Sequence, residues 1–163
     1  MARPKWTWSS VLRAGARGLV AAMAMTGTRT VTAAVAPRER TPPEAIVEKE
    51  APSRFAHLDE HHRAAVTELF HWAYGIGGGM AFGLLPARIR RFPGTGAAYG
   101  LAIWLGFEMG IAPLLGIQQV KQRKVLWRVV IAFDHVLYGV VVAGRLAPEP
   151  AIEMGRARGQ RDD

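Results

Sequence analysis

Long apolar runs alternate with dense polar segments along this chain, and within two of the runs small residues recur at helical spacing. The sharpest case is Ala64 to Leu85, about 22 residues, long enough as a helix to cross the hydrocarbon core of a bilayer and closed by Pro86. Within it His71, Gly75, Gly79 and Gly83 recur every fourth residue, which sets them along one gently drifting stripe. Glycine weakens a lone helix, so a stripe with glycine at three successive turns argues for close backbone contact with a neighbour. A second run, Val125 to Leu146, repeats the pattern in His135, Gly139 and Ala143. Each run opens its stripe with a similar pentapeptide, HWAYG at 71–75 and HVLYG at 135–139. These features predict two membrane helices whose histidine faces meet inside one bundle.

The remaining runs extend this to an all-α, integral membrane four-helix bundle with spans at about 14–34, 64–85, 97–117 and 125–146, forming a single domain over 14–146. A basic segment, 1–13, carries Trp6 and Trp8 and precedes the first span. In that span Arg17 and Arg29 leave only Gly18 to Thr28 free of charge, so one arginine must snorkel to an interface or find a partner. A retained helix is expected there; a secretory signal cleaved at Ala34-Val35-Ala36 and an arginine-rich transit peptide are the competing readings. The polar interval 37–63 contains Thr41 three residues before Glu44 with Pro42 between them, a capping box predicting a short amphipathic helix from Pro42 to about Lys49 outside the bilayer. In the third run Gly96, Gly100, Trp104, Glu108, Ala112 and Gly116 are spaced by fours, predicting helix packing through Gly100 and Gly116 around one polar residue. The tail 147–163 is expected to be disordered.

Absence of cysteine excludes disulfides, thiolate zinc sites, iron–sulfur clusters and covalently attached haem, leaving His, Asp and Glu as metal ligands. His57 and His61 fall one helical turn apart beside Asp59 and Glu60, but solvated histidines at a helix start explain them more simply than a metal site. The net charge of +8 comes from Lys and Arg flanking apolar runs, which suits anionic lipid headgroups and argues against nucleic acid. Basic residues are nearly balanced between the two sides of a four-span arrangement. The concentrated turn of Arg88, Arg90 and Arg91 favours both termini on the cytoplasmic side.

Several polar residues lie inside the predicted spans: His71, Tyr74, Glu108, Asp134, His135 and Tyr138, with Arg128 nearer one end. A charged group at a helix centre costs about 2.5–3.5 kcal/mol on insertion scales, so Glu108 and Asp134 should face the bundle interior. Glu108, Asp134 and His135 are expected at one depth, with His71 about 6 Å nearer the start of its helix. Two uses follow. Hydrogen bonds among them would fix helix rotation and register in a scaffold or interaction protein; alternatively, two carboxyls and an imidazole at one depth could conduct or couple a proton or cation. The depth mismatch of His71 and His135 argues against bis-histidine haem, and no cofactor or metal is expected. No phosphate loop, nucleophile elbow or His-Glu-x-x-His occurs, so an enzyme is not expected. Partners expected are the lipid bilayer and a second copy of the chain, docked through the Gly75/Gly79/Gly83 face.

The order of these motifs resembles a family of small bacterial inner-membrane proteins of the YagU-like type. The likeness rests on Thr41-Pro42-Pro43-Glu44 with Ile46, Val47 and Glu48 after a first helix, and on His71, Tyr74 and Gly75 in the second. It continues with Gly100 and Trp104, then Pro113, Leu115 and Gly116 in the third, and with His135, Tyr138 and Gly139 in the fourth. The resemblance covers roughly Gly18 to Gly144. It implies a multi-pass protein of the inner membrane with Pro42, Pro43, His71, Tyr74, Gly75, Trp104, Pro113, Gly116, His135 and Gly139 at matching positions, and it implies no agreed activity. The repeated pentapeptide also suggests a duplicated helix pair, first with second and third with fourth, in which both histidine helices point the same way.

Overall fold

A computed structural model describes residues 7–35, 57–114, 116 and 125–144, and among these all regular structure is helical. The helices are α1 (Trp8–Val35), α2 (Glu60–Leu84), the short α3 (Ala87–Arg91), α4 (Thr95–Leu114) and α5 (Val125–Val142). The predicted amphipathic helix at Pro42–Lys49, the segment Gln118–Lys124 and the tail 147–163 lie outside the described residues, as does Ala36 of the alternative cleavage site.

Local chemistry sets the helix ends. Thr7 starts α1: its hydroxyl accepts from the Ser10 amide at 3.2 Å, while the Ser10 hydroxyl accepts from the Thr7 amide at 3.3 Å, a capping box with serine in the usual Glu position. Asp59 caps α2 through the His62 amide at 2.9 Å, and its other oxygen meets His62 Nδ1 at 2.8 Å. Those bonds hold the Asp59 carboxyl below its ordinary range. The α2 helix therefore begins four residues before the apolar run, and it stops at Leu85 because Pro86 follows.

The middle of α4 departs from α geometry. Residues Phe107–Ile111 form a π turn, closed by the Ala112 amide donating to Phe107 O. Pro113 supplies the cause, since its ring would clash with the carbonyl of Met109 in an unbroken α-helix and it has no amide to donate. The wider turn also takes back part of the drift that accumulates in steps of four, so Ala112 stays buried on the same stripe as Gly96 and Gly100. Gly116 does not: it sits exposed beyond the helix with φ 62, its amide on Pro113 O at 3.0 Å. Its expected packing role is replaced by that of a left-handed helix stop.

The helices pack as two antiparallel pairs, α1 with α2 and α4 with α5, and α1 also lies along α5. In the first pair Gly18 meets Gly75 and Gly79, Ala14 meets Gly79, and Val11 meets Gly83. A methyl group on Gly75 would stand 2.6 Å from the Ala22 methyl and 2.9 Å from Gly18 O. In the second pair Gly100 lies on the carbonyl of His135, and a methyl on Gly96 would come within 2.6 Å of Gly139 O. Both interfaces are thus built from backbone against backbone, with Ala21, Phe82, Tyr138 and Val142 filling the centre where the pairs meet. The Gly75/Gly79/Gly83 face is covered by α1 of the same chain.

Tyrosines tie the two pairs together. Tyr138 donates to Gly75 O and Tyr99 to Gly78 O, each at 2.6 Å, and the Tyr99 ring packs edge-on against Phe82 with centroids 5.1 Å apart. Arg17 resolves one of the two charges in the first apolar run, because its guanidinium packs on Gly144 at the carbonyl end of α5. Gly144 has φ 73, and any side chain there would collide with the arginine.

Burial is inverted relative to a water-soluble bundle. Gly, Ala and a few larger residues fill the interior, whereas Leu12, Val20, Met23, Leu69, Phe70, Leu105, Met109, Leu126, Val129, Phe133 and Leu137 are exposed. Two helices, Thr95–Leu114 and Val125–Val142, are long and apolar enough to cross a membrane. Only 11% and 17% of their apolar stretches are buried within the protein.

Candidate functional site

The polar residues of the interior fall into two groups, divided by helix register. The first lies between α1 and α2. Thr26 Oγ1 donates to Glu68 Oε2 at 2.6 Å and accepts from Trp72 Nε1 at 3.2 Å. One Nη of Arg29 reaches Glu68 Oε2 at 3.3 Å, Thr26 Oγ1 at 3.3 Å and His71 Nδ1 at 3.0 Å, while its Nε donates to Met25 O. Arg29 thereby finds the partner that the sequence demanded for a charge in the first apolar run, supplied by the turn of α2 that carries Glu68 and His71.

This group extends to α5. His135 lies within electrostatic reach of His71, and Arg29 within reach of both Asp134 and His135. Tyr74, Tyr99 and Tyr138 form a neighbouring cluster toward the other end of the bundle; Tyr74 is largely exposed and Tyr138 buried.

Glu108 belongs elsewhere. Its side chain is 93% buried and Oε2 meets Arg128 Nη2 at 3.4 Å. Because Gly100 lies opposite His135, Glu108, two turns further along α4, falls opposite Arg128, which is seven residues before His135 and about 10 Å from it along the axis. The expected common depth of Glu108, Asp134 and His135 is corrected accordingly: the polar centre joins α1, α2 and α5 rather than α2, α4 and α5.

The two imidazoles are held in different ways. An arginine N–H can only donate, so its contact to His71 Nδ1 requires a lone pair there and places the proton of the neutral ring on Nε2. A carbonyl can only accept, so His135 Nδ1 donates to Ile131 O at 2.8 Å and its neutral ring keeps a lone pair on Nε2. One Nε2 is thus a donor and the other an acceptor. Among the described residues no group of three or more His, Asp and Glu side chains converges as a metal site would.

Sequence reasoning missed Arg29 and Glu68 as site residues. The signal was present: one uncompensated arginine in the first run and one carboxylate near the start of the second, each of which needed the other. Compared with known protein families, with curated sequences and with solved structures, the chain finds no match.

Proposed function

We propose that this chain is a four-span, multi-pass protein of the bacterial inner membrane, akin to the YagU-like proteins, acting as a small helical scaffold or interaction protein with a clamped polar centre. The inverted burial carries this reading. Helices α4 and α5 are apolar, long enough to span, and nearly unburied, a combination that would leave a large apolar surface in water but is matched to lipid. Helices α1 and α2 join them as spans because 28 and 25 residues exceed the hydrocarbon thickness and their inner charges are paired across the interface. The first helix is retained in this reading, since it covers Gly75, Gly79 and Gly83.

Carbonate extraction of expressing cells tests the assignment. The protein is expected to stay with the membrane pellet; its release into the supernatant would refute a spanning bundle and favour a soluble or peripheral protein.

A second reading is supported by the opposite Nε2 states of His71 and His135: a proton- or cation-handling centre formed by Asp134 and His135 with His71, Arg29 and Glu68. In reconstituted vesicles a pH-gradient dye is expected to report flux that His135→Ala lowers at least tenfold and that Glu108→Gln, at the separate Arg128 pair, leaves nearly unchanged. Absence of flux in the unmodified protein would leave the scaffold reading alone.

A further inference from the structure

We propose that Asp134 is the counter-charge of a binding site for lipid-soluble organic cations, such as hydrophobic amines and phosphonium or quaternary ammonium compounds. The inference deepens the second reading above, on which it rests, by naming the class of cation. Among the described residues three carboxylates lie within the spanning stretches, Glu68, Glu108 and Asp134. Glu68 is paired with Arg29 and Glu108 with Arg128. Asp134, by contrast, has neither an ion pair nor a hydrogen bond among the described residues. Arg29 lies within electrostatic reach, but its guanidinium is engaged by Glu68, Thr26 and His71 and does not close on Asp134. A carboxylate near the centre of α5 is costly in hydrocarbon until an opposite charge or a proton joins it.

Helix period sets this carboxyl at the edge of the bundle. Asp134 lies one turn before Tyr138 and two before Val141, on the side of α5 whose Tyr138 and Val141 join the core with Ala21 and Met25 of α1. It is itself partly exposed. Its outward neighbours along the helix surface are Val130 and Leu137, with Phe133 one turn from both, and Phe133 and Leu137 are 60% and 43% exposed. Under the membrane reading those side chains meet lipid, so the carboxyl is reached laterally from the acyl layer.

A bare metal ion needs several oxygen ligands, and among the described residues no three His, Asp or Glu side chains gather to supply them. An organic cation needs less. It carries its own apolar shell, gains contact with Leu137 and the Phe133 ring, and requires a single counter-charge, which acts strongly where the dielectric constant is low. The other charged or titratable groups on this side are Arg29 from α1 and His135 on α5, with Glu68 and His71 of α2 held against Arg29. Arg29 and Glu68 offset one another, so the charge presented to a ligand is that of Asp134.

Equilibrium dialysis of tetraphenylphosphonium against the full-length protein in dodecyl maltoside micelles tests the site, with empty micelles as the blank. Saturable binding above the blank is expected. Asp134→Asn should weaken it about thirtyfold or more, as removing one member of a desolvated charge pair does, while Asp134→Glu should keep most of the affinity. Helix content by circular dichroism should be unchanged in both variants, because this side chain makes no bond within the described fold. Uptake no greater than that of empty micelles, saturable binding that survives Asp134→Asn, or displacement by sodium as effective as that by tetrabutylammonium at matched ionic strength would each overturn the assignment. Dye-reported flux in vesicles without tetraphenylphosphonium binding would leave the second reading standing and overturn the organic-cation site alone. Absence of both would overturn the two together.

Discussion

Replacing Gly100 with leucine is expected to drive α4 and α5 apart and destabilise the bundle by about 3 kcal/mol or more, the upper part of the range for overpacking. A side chain at this position collides with the carbonyl of His135 and approaches the amide of Gly139, and neither is the end of a flexible side chain that could swing away. The interface must open along its length, and the Tyr138 bond to Gly75 O, which depends on the position of α5, should weaken with it. Gly106→Leu provides the comparison within the same helix, since nothing lies within 4 Å of a Cβ built there and the change should fall within about 0.5 kcal/mol of neutral. Helicity followed through a titration from mild detergent into dodecyl sulfate reads both variants. Equal midpoints for Gly100→Leu and Gly106→Leu would contradict the packing described.

Arg29→Ala is expected to cost about 2 kcal/mol. Removing one partner of a fully buried pair costs more, but Arg29 and Glu68 retain 26% and 31% side-chain exposure, so the figure is discounted for solvent screening. The loss spreads over several groups because a single Nη serves Glu68, Thr26 and His71 together, and Glu68 would be left with the Thr26 hydroxyl. A double-mutant cycle with Glu68→Gln separates pairing from other effects: the combined variant should be more stable than the sum of the single losses predicts, with a coupling of about 1–2 kcal/mol. Strict additivity in the same detergent titration would show that Arg29 and Glu68 act independently.

Much of this architecture is legible in the spacing of small residues. His71, Gly75, Gly79 and Gly83, and again His135, Gly139 and Ala143, announce helices that need close neighbours, because small residues at successive turns weaken a helix unless a neighbouring backbone packs on them. The contacts found join the first helix to the second and the third to the fourth, where Gly18 meets Gly75 and Gly100 meets His135 and Gly139. What a stripe cannot name is its partner. The face of α2 looked equally suited to a second copy of the chain, and it is α1 that occupies it. The site was harder to read for a related reason. Depth was inferred from the position of Glu108 within its apolar run, whereas the depth of one helix against another is set by where backbones touch, and the contact at Gly100 slides Glu108 past His135 to Arg128.

The sequence by itself determined the helical class, the apolar spacing that suits lipid, and the small-residue stripes, because these follow from the helical period and from the cost of burying charge. Tertiary structure alone decided that Arg29 joins Glu68 and His71, that Glu108 meets Arg128 rather than the histidines, and that Tyr138 bonds to Gly75 O. Each of those depends on the axial register between helices distant in sequence. That register is fixed by a few backbone contacts at glycine, and a periodic pattern, being the same after every turn, does not specify it.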